Sequence, residues 1–452
     1  MTLTVLNPAT EEPIAELEQA GVEEADEAVA RARAAYPSWS AVSPSDRARL
    51  LRRLAALVEE HAEELARIES RNVGKPISGA RGEIGMVAQV FHFYAGAVDK
   101  HYGDTIPVAG GVAATFREPL GVVGLIVPWN FPLNIASWKL GPALACGNTV
   151  VLKPAELTPL SALRLAELAL EAGIPAGVLN VVVGKGSVVG QRLIEHSDIA
   201  KIGFTGSTEV GRLVMQGAAE TIKRVTLELG GKSANVVFAD ADLERAAAAA
   251  PYAVFDNAGQ DCCARSRILV EKSVYDRFLD ELIAATKRLR VGDPSDETTE
   301  MGPLVSAAHR DTVSSFVDDS VEIAYQGEAR DGAGFWFPPT LVEATNEHRV
   351  AREEVFGPVA AVIPFEDEAD AVRIANDMPY GLSGSIWTRD GARALRVARA
   401  LETGVLSVNS NSSVRVQTPF GGFKQSGFGR ELGMQALDGY SEVKSVFIST
   451  EE

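Results

Sequence analysis

The chain has 452 residues, enough for two or three domains at the usual ~100–200 residues each. A hydrophobic fraction of 46% beside 23% charged residues excludes the disordered and low-complexity classes. With 43 Lys and Arg against 61 Asp and Glu the net charge is −18, and no basic stripe interrupts it, so neither nucleic acid nor an anionic membrane is expected as a partner.

In chain order, the opening Met-Thr-Leu-Thr-Val-Leu-Asn-Pro has neither a basic start nor an apolar signal core, which predicts no secretion signal. From 45 to 72, Leu50, Leu54, Leu57, Val58, His61, Leu65 and Ile68 form one helical stripe on a charged segment, predicting a single surface helix. The segment 119–138 carries no formal charge and is nominally long enough to span a bilayer. Pro119, Pro128, Asn130, Pro132 and Asn134 within it predict a buried strand and turn instead. Strand-like runs then alternate with amphipathic helices: 148–153, 161–172, 179–183, 188–196 and 200–204. After Gly230 and Gly231 the alternation restarts with 268–271, 273–289, 359–365, 391–401 and 405–408. Such alternation predicts parallel βαβ units with helices on both faces, in two α/β domains that meet near residue 230. The three cysteines, Cys146, Cys262 and Cys263, are too few for a disulfide framework and predict a reducing, cytoplasmic compartment. No metal site is read from the sequence.

Two glycine-bearing turns leave strands and enter helices. Gly184-Lys185-Gly186-Ser187-Val188-Val189-Gly190 is one residue too long for the dinucleotide fingerprint and reads equally as a plain strand-to-helix turn. Gly203-Phe204-Thr205-Gly206-Ser207-Thr208-Glu209-Val210-Gly211 offers free N–H groups and capping hydroxyls at a helix start, suited to a pyrophosphate or simply to capping.

Four further segments change the reading: Phe255-Asp256-Asn257-Ala258-Gly259-Gln260-Asp261-Cys262-Cys263-Ala264, Leu227-Glu228-Leu229-Gly230-Gly231-Lys232, Val127-Pro128-Trp129-Asn130-Phe131-Pro132 and Glu353-Glu354-Val355-Phe356-Gly357-Pro358-Val359. Together the sequence resembles the NAD(P)-dependent aldehyde dehydrogenase superfamily. The resemblance runs from Asn7-Pro8-Ala9-Thr10 past Pro419-Phe420-Gly421-Gly422-Phe423-Lys424-Gln425-Ser426-Gly427, in the family's order and approximate spacing. It implies an α/β fold with a Rossmann-like NAD-binding domain (1–100 and 120–230), an α/β catalytic domain (231–430) and a small β oligomerisation element (101–119 and 431–452). A homodimer or homotetramer is the implied assembly.

By the same resemblance Cys262 is the nucleophile, because a thiolate attacks an aldehyde to give a tetrahedral centre that expels hydride and leaves a hydrolysable thioester. Cys263 is expected in an extended segment, facing away from Cys262 and serving only packing. Asn130 is implied as oxyanion donor with the Cys262 N–H, a plain turn residue being the alternative. Glu228 is implied as the general base of the hydrolytic, non-acylating branch. Lys139 and Glu431 match a proton-carrying pair or a simple ion pair. For the cofactor, the implied residues are Trp129, Lys153, Glu156, Gly186, Gly206, Ser207, Val210, Leu229, Glu354 and Phe356. Glu156, whose carboxylate accepts from ribose hydroxyls and repels a 2′-phosphate, favours NAD over NADP.

Phe131, Trp138 and Phe420 are implied as an aromatic sleeve for a small-molecule aldehyde, aliphatic or aromatic. An arginine typical of succinic semialdehyde enzymes is replaced by Trp138. Arg415 stands on the tunnel-mouth loop and is either a partner for a substrate carboxylate or a surface arginine. Ser412 occupies a position where relatives specific for aminoaldehydes often carry an acid. Two other readings use the same residues: a catalytically retired scaffold, and a cysteine esterase that leaves Glu156, Glu354 and Phe356 unexplained.

Overall fold

The structure, a computed structural model, describes residues 2–451. Its first large sheet has six strands in the order 427–428, 224–228, 199–205, 122–126, 149–153 and 179–181. All pair in parallel except Gly427–Phe428, which runs antiparallel to the strand Arg224–Glu228. Val122–Ile126 and Thr149–Lys153 are buried at every position, as continuous apolar runs in a parallel sheet covered on both faces must be. The second sheet has seven strands, 322–326, 340–343, 359–365, 267–271, 234–237, 383–387 and 405–408. Only its edge strand Glu322–Gln326 is antiparallel. A third, three-stranded sheet pairs Ser441–Ser449 with Gly111–Pro119 along their whole lengths, and Thr105–Val108 lies on the other side of the latter.

The single helix expected over 45–72 is two, Pro44–Glu60 and Ala62–Val73. His61 leaves helical geometry (φ −96°, ψ 18°), its N–H bonding Leu57 and its C=O accepting from Leu65. The apolar stripe survives the break, since Leu54, Val58 and Leu65 are all fully buried. The segment 119–138 does form a buried strand and turn, but it continues directly into a helix, Pro132–Ala145, with proline in the first turn where its missing N–H costs nothing. Likewise the helix expected over 273–289 is confined to Tyr275–Thr286 after a short 3₁₀ turn.

The C-terminal stretch crosses back onto the first sheet. Besides the pairing at Gly427, Leu229 N–H donates to Ser426 O at 2.9 Å and the Ser426 hydroxyl to Gly230 O at 2.7 Å. The carboxyl ends of the strands 122–126, 199–205 and 224–228 are thereby roofed by loops from the second sheet, and open α/β sheets bind ligands at such ends.

Candidate active site

Cys262 lies on a loop that the backbone holds in an unusual path. Asn257 (φ 48°) and Ala258 (φ 55°) are both left-handed without being glycine, and Gly259 follows at φ 71°. A Cβ at Gly259 would sit 2.2 Å from Gly357 O, so only glycine fits. Gly230 and Gly231 serve close approach too, since a Cβ on Gly231 would meet Cys262 O at 2.3 Å and one on Gly230 would meet a Glu354 carboxylate oxygen at 2.3 Å. Strain of this kind persists where surrounding structure over-determines it, as it does around reacting groups.

Contrary to expectation, the two neighbouring cysteines are on a turn and do not face opposite ways. Their sulfur atoms and an Asp261 carboxylate oxygen lie within 4.8 Å of one another. Asp261 bridges the turn by accepting from Cys263 N at 2.8 Å, which draws consecutive side chains together. Contact with the Cys263 thiol, then burial, pushes the Cys262 thiol well above its ordinary range, so it rests as a thiol.

Asn130 follows the strand Val122–Ile126 and is 2% exposed. Its Nδ2 donates to Gln260 O at 2.9 Å, while its own carbonyl accepts from Asn257 Nδ2 at 2.9 Å and from Lys75 Nζ at 2.9 Å. A carboxamide has two N–H groups, so one is left for another acceptor. Glu228 ends the strand Arg224–Glu228 with both carboxylate oxygens buried and unpartnered. Burial first, then the charge of Glu431, raises this carboxyl well above the usual range against the opposing pull of Lys139. Lys139 and Glu431 form a buried ion pair with each other.

Two cavities meet at Cys262. One, of about 360 Å³, is lined by Phe131, Trp138, Phe420, Glu228 and Glu431, with the Trp138 and Phe420 rings edge to face at 5.0 Å. The other, of about 230 Å³, is lined by Trp129, Gly206, Ser207, Leu229, Glu354 and Phe356. Cys262 and Thr205 line both.

The second cavity suits a dinucleotide. Ser207 caps the helix Thr208–Ala219 by accepting from Val210 N, which leaves a helix start with free N–H groups at the cavity wall. Glu354 accepts from Gly231 N at 2.8 Å, and burial pushes it up to about 7. Phe356, left-handed at φ 56°, is edge to face with Trp129 at 5.3 Å. Beyond the lining, Glu156 Oε1 accepts from Gly186 N at 2.8 Å, tying the end of one strand to the next turn, while Lys153 is buried and bonds Pro154 O at 3.0 Å. Val210 is exposed on the helix surface.

Arg415 is not brought to the first cavity. Its guanidinium donates to Ser412 Oγ and Val414 O, each at 2.7 Å, within its own exposed loop. Arg265, the cation in the lining, is spent on Ser385 Oγ, Cys263 O and Ser413 Oγ. Sequence reasoning missed Lys75, Asn257 and His309, whose ring bonds Phe356 O at 2.7 Å and meets Trp129 edge to face at 5.1 Å. All three act on main-chain carbonyls, for which a sequence has no pattern.

The family model described as "Aldehyde dehydrogenase family" matches residues 1–446. The chain is 46% identical to an aldehyde dehydrogenase of Aspergillus niger, over 98% of this chain and 91% of that protein. It is 44% identical to the NADP/NAD-dependent aldehyde dehydrogenase PuuC of Escherichia coli (strain K12), over 100% and 93%. The crystal structure of PnpE, a protein whose companion structure is from Pseudomonas sp. WBC-3, in complex with nicotinamide adenine dinucleotide superposes with a TM-score of 0.98 at 46% identity, covering 100% of this chain and 95% of that one.

Proposed function

The chain belongs to the aldehyde dehydrogenase family, NAD(P)-dependent oxidoreductases that convert aldehydes to carboxylic acids, and we propose that its chemistry runs through Cys262 with Glu228 as base. The observation that carries this reading is that Cys262 lines both cavities, so an aldehyde carbonyl entering by one meets the hydride acceptor seated in the other. The Cys262 sulfur forms a bond to the carbonyl carbon as its proton passes to Glu228, which releases it by way of Lys139 and Glu431 before the hydrolytic step. The oxygen becomes an alkoxide, and the Asn130 N–H not held by Gln260 O, with the Cys262 N–H, is its donor pair. NAD supplies the acceptor for the hydride that leaves as the alkoxide collapses to a thioester. Glu228 then takes a proton from the attacking water, and the acid departs as the sulfur is released. Lys139 and Glu431 carry the Glu228 proton outward.

Within this scheme Trp129, Gly206, Ser207, Leu229, Glu354 and Phe356 hold the pyrophosphate and nicotinamide half, while Lys153, Glu156, Gly186 and Val210 hold the adenosine half. Glu156 has one oxygen on Gly186 N–H, and its other oxygen is the acceptor this reading assigns to a ribose hydroxyl, which supports NAD as the preferred cofactor. A kcat/KM comparison that favoured NADP would refute this. With Arg265 bonded to Ser385, Cys263 and Ser413 and Arg415 bonded to Ser412 and Val414, both guanidinium groups are already partnered, and the aromatic sleeve of Phe131, Trp138 and Phe420 suits a neutral aliphatic or aromatic aldehyde.

The test of the whole reading is Cys262→Ala. Aldehyde-dependent NADH absorbance is expected to vanish while NAD binding, followed by fluorescence titration, persists; retained turnover would sink it. A cysteine esterase would cleave esters yet give no NADH from the unaltered chain, and a retired scaffold would do neither.

A further inference from the structure

Lys75 stands between two helices, just after Gly74, whose left-handed φ of 88° ends Ala62–Val73, and just before Ile77–Ala97. Its carbonyl is fixed by the Ser70 hydroxyl at 2.8 Å. The side chain runs inward and is 1% exposed. There the ammonium donates to Glu83 Oε2 at 2.6 Å and to Asn130 O at 2.9 Å, with Glu69 at 3.8 Å and the Phe131 ring centroid at 4.5 Å. A buried ion pair is poor value for stability, because well-packed apolar groups of the same volume do as well or better. What an apolar group cannot do is hold the Asn130 carbonyl.

That carbonyl belongs to a closed circuit. Asn257 Nδ2 bonds the same oxygen at 2.9 Å and reaches Gln260 O at 3.3 Å, and Gln260 O accepts from Asn130 Nδ2 at 2.9 Å. Gln260 is itself locked, donating to Asn257 O and accepting from Val305 N. The circuit joins the loop bearing Asn130 to the loop bearing Cys262, and Lys75 is the charged member that presses on it from outside the cavity. Through Glu83 it also ties in the helix whose Met86 lines that cavity.

We propose that Lys75 is a positioning residue for the reaction, its buried ammonium holding the Asn130 main chain so that the Asn130 amide stays aimed at the carbonyl oxygen above Cys262. The proposal rests on Asn130 being the oxyanion donor. Lys75 touches neither substrate nor cofactor and acts through Asn130 alone.

The test is a double-mutant cycle on the full chain with Lys75→Met, Asn130→Ala and the pair, reading kcat, KM for the aldehyde and NAD affinity. Lys75→Met is expected to lower kcat roughly ten- to hundred-fold, less than or equal to the loss of a donor itself, with KM and NAD affinity nearly unchanged. In the Asn130→Ala background the same substitution is expected to cost nothing further. A Lys75→Met enzyme with full kcat, or equal losses in both backgrounds, overturns the proposal alone; full kcat in Asn130→Ala overturns the oxyanion reading and the proposal with it. Should Lys75→Met fail to fold, the cycle is run with Glu69→Gln and Glu83→Gln, which remove the carboxylates it would orphan, and the same outcomes decide.

Discussion

The Glu228 carboxyl is buried with no hydrogen-bond partner among the described residues, and the charge of Glu431 raises it beyond what burial does while Lys139 pulls it back. A general base works deprotonated, so kcat is expected to rise with pH through a limb well above the ordinary carboxylate range. Glu431→Gln removes the repulsion and leaves Lys139, and the limb is expected to move to lower pH; Lys139→Met removes the attraction, and it is expected to move higher. Profiles of kcat against pH for the two variants check this, and shifts in the same direction would refute the arrangement. Stability runs the other way. A carboxyl whose folded pKa is raised makes the native state bind the extra proton, so its contribution is present at low pH and is lost as pH rises through the folded value. Thermal melts of Glu228→Gln against the unaltered chain are therefore expected to show an advantage for Gln that grows with pH. At this scale the sequence singled out Cys262, Glu228 and Asn130 by residue type and motif, and the structure gathers all three around the two adjoining cavities. It was silent where a side chain acts on a carbonyl, as Lys75 and His309 do, and it misled at Cys263, because the turn imposed by Asp261 brings two thiols together that an extended strand would separate.

At the scale of elements, the alternating strands and helices predicted two large, mainly parallel sheets because buried strands must be continuous apolar runs. The helix break at His61 was not readable, since the apolar stripe passes through it and only the backbone angles change. Nor was the return of 427–428 to the first sheet, a pairing of two residues that no periodicity can announce. One consequence concerns Glu156, which is carried by the turn after Thr149–Lys153 and anchored on the turn at Gly186. Both turns follow strands of one sheet, so the carboxylate is held in place, and in the proposed function it meets a ribose diol. Glu156→Ser is expected to raise KM for NAD and to narrow the NAD to NADP ratio of kcat/KM by about tenfold, the worth of one charged hydrogen bond. Initial rates with both cofactors measure it, and an unchanged ratio would remove Glu156 from the determinants of preference.

At the scale of the molecule, the three-stranded sheet is the part that the two cavities do not need. Ser441–Ser449 is its edge, long and unpaired on one side, with Val443, Phe447 and Ile448 each more than half exposed; Val112 and Phe116 are exposed on the neighbouring strand. An apolar edge of this length is open to pairing, and a second copy of the chain is the occupant expected for it. The net charge of −18 bears on the same event, because two such chains repel until salt screens them. Light scattering behind size exclusion is therefore expected to give a multiple of the chain mass that strengthens as salt is raised from low ionic strength. Phe447→Glu, which places a charge at the middle of the patch, is expected to give the single-chain mass under the same conditions. Because no residue of the three-stranded sheet lines either cavity, NADH formation is expected to survive that dissociation. A variant that stays associated would move the interface away from this strand.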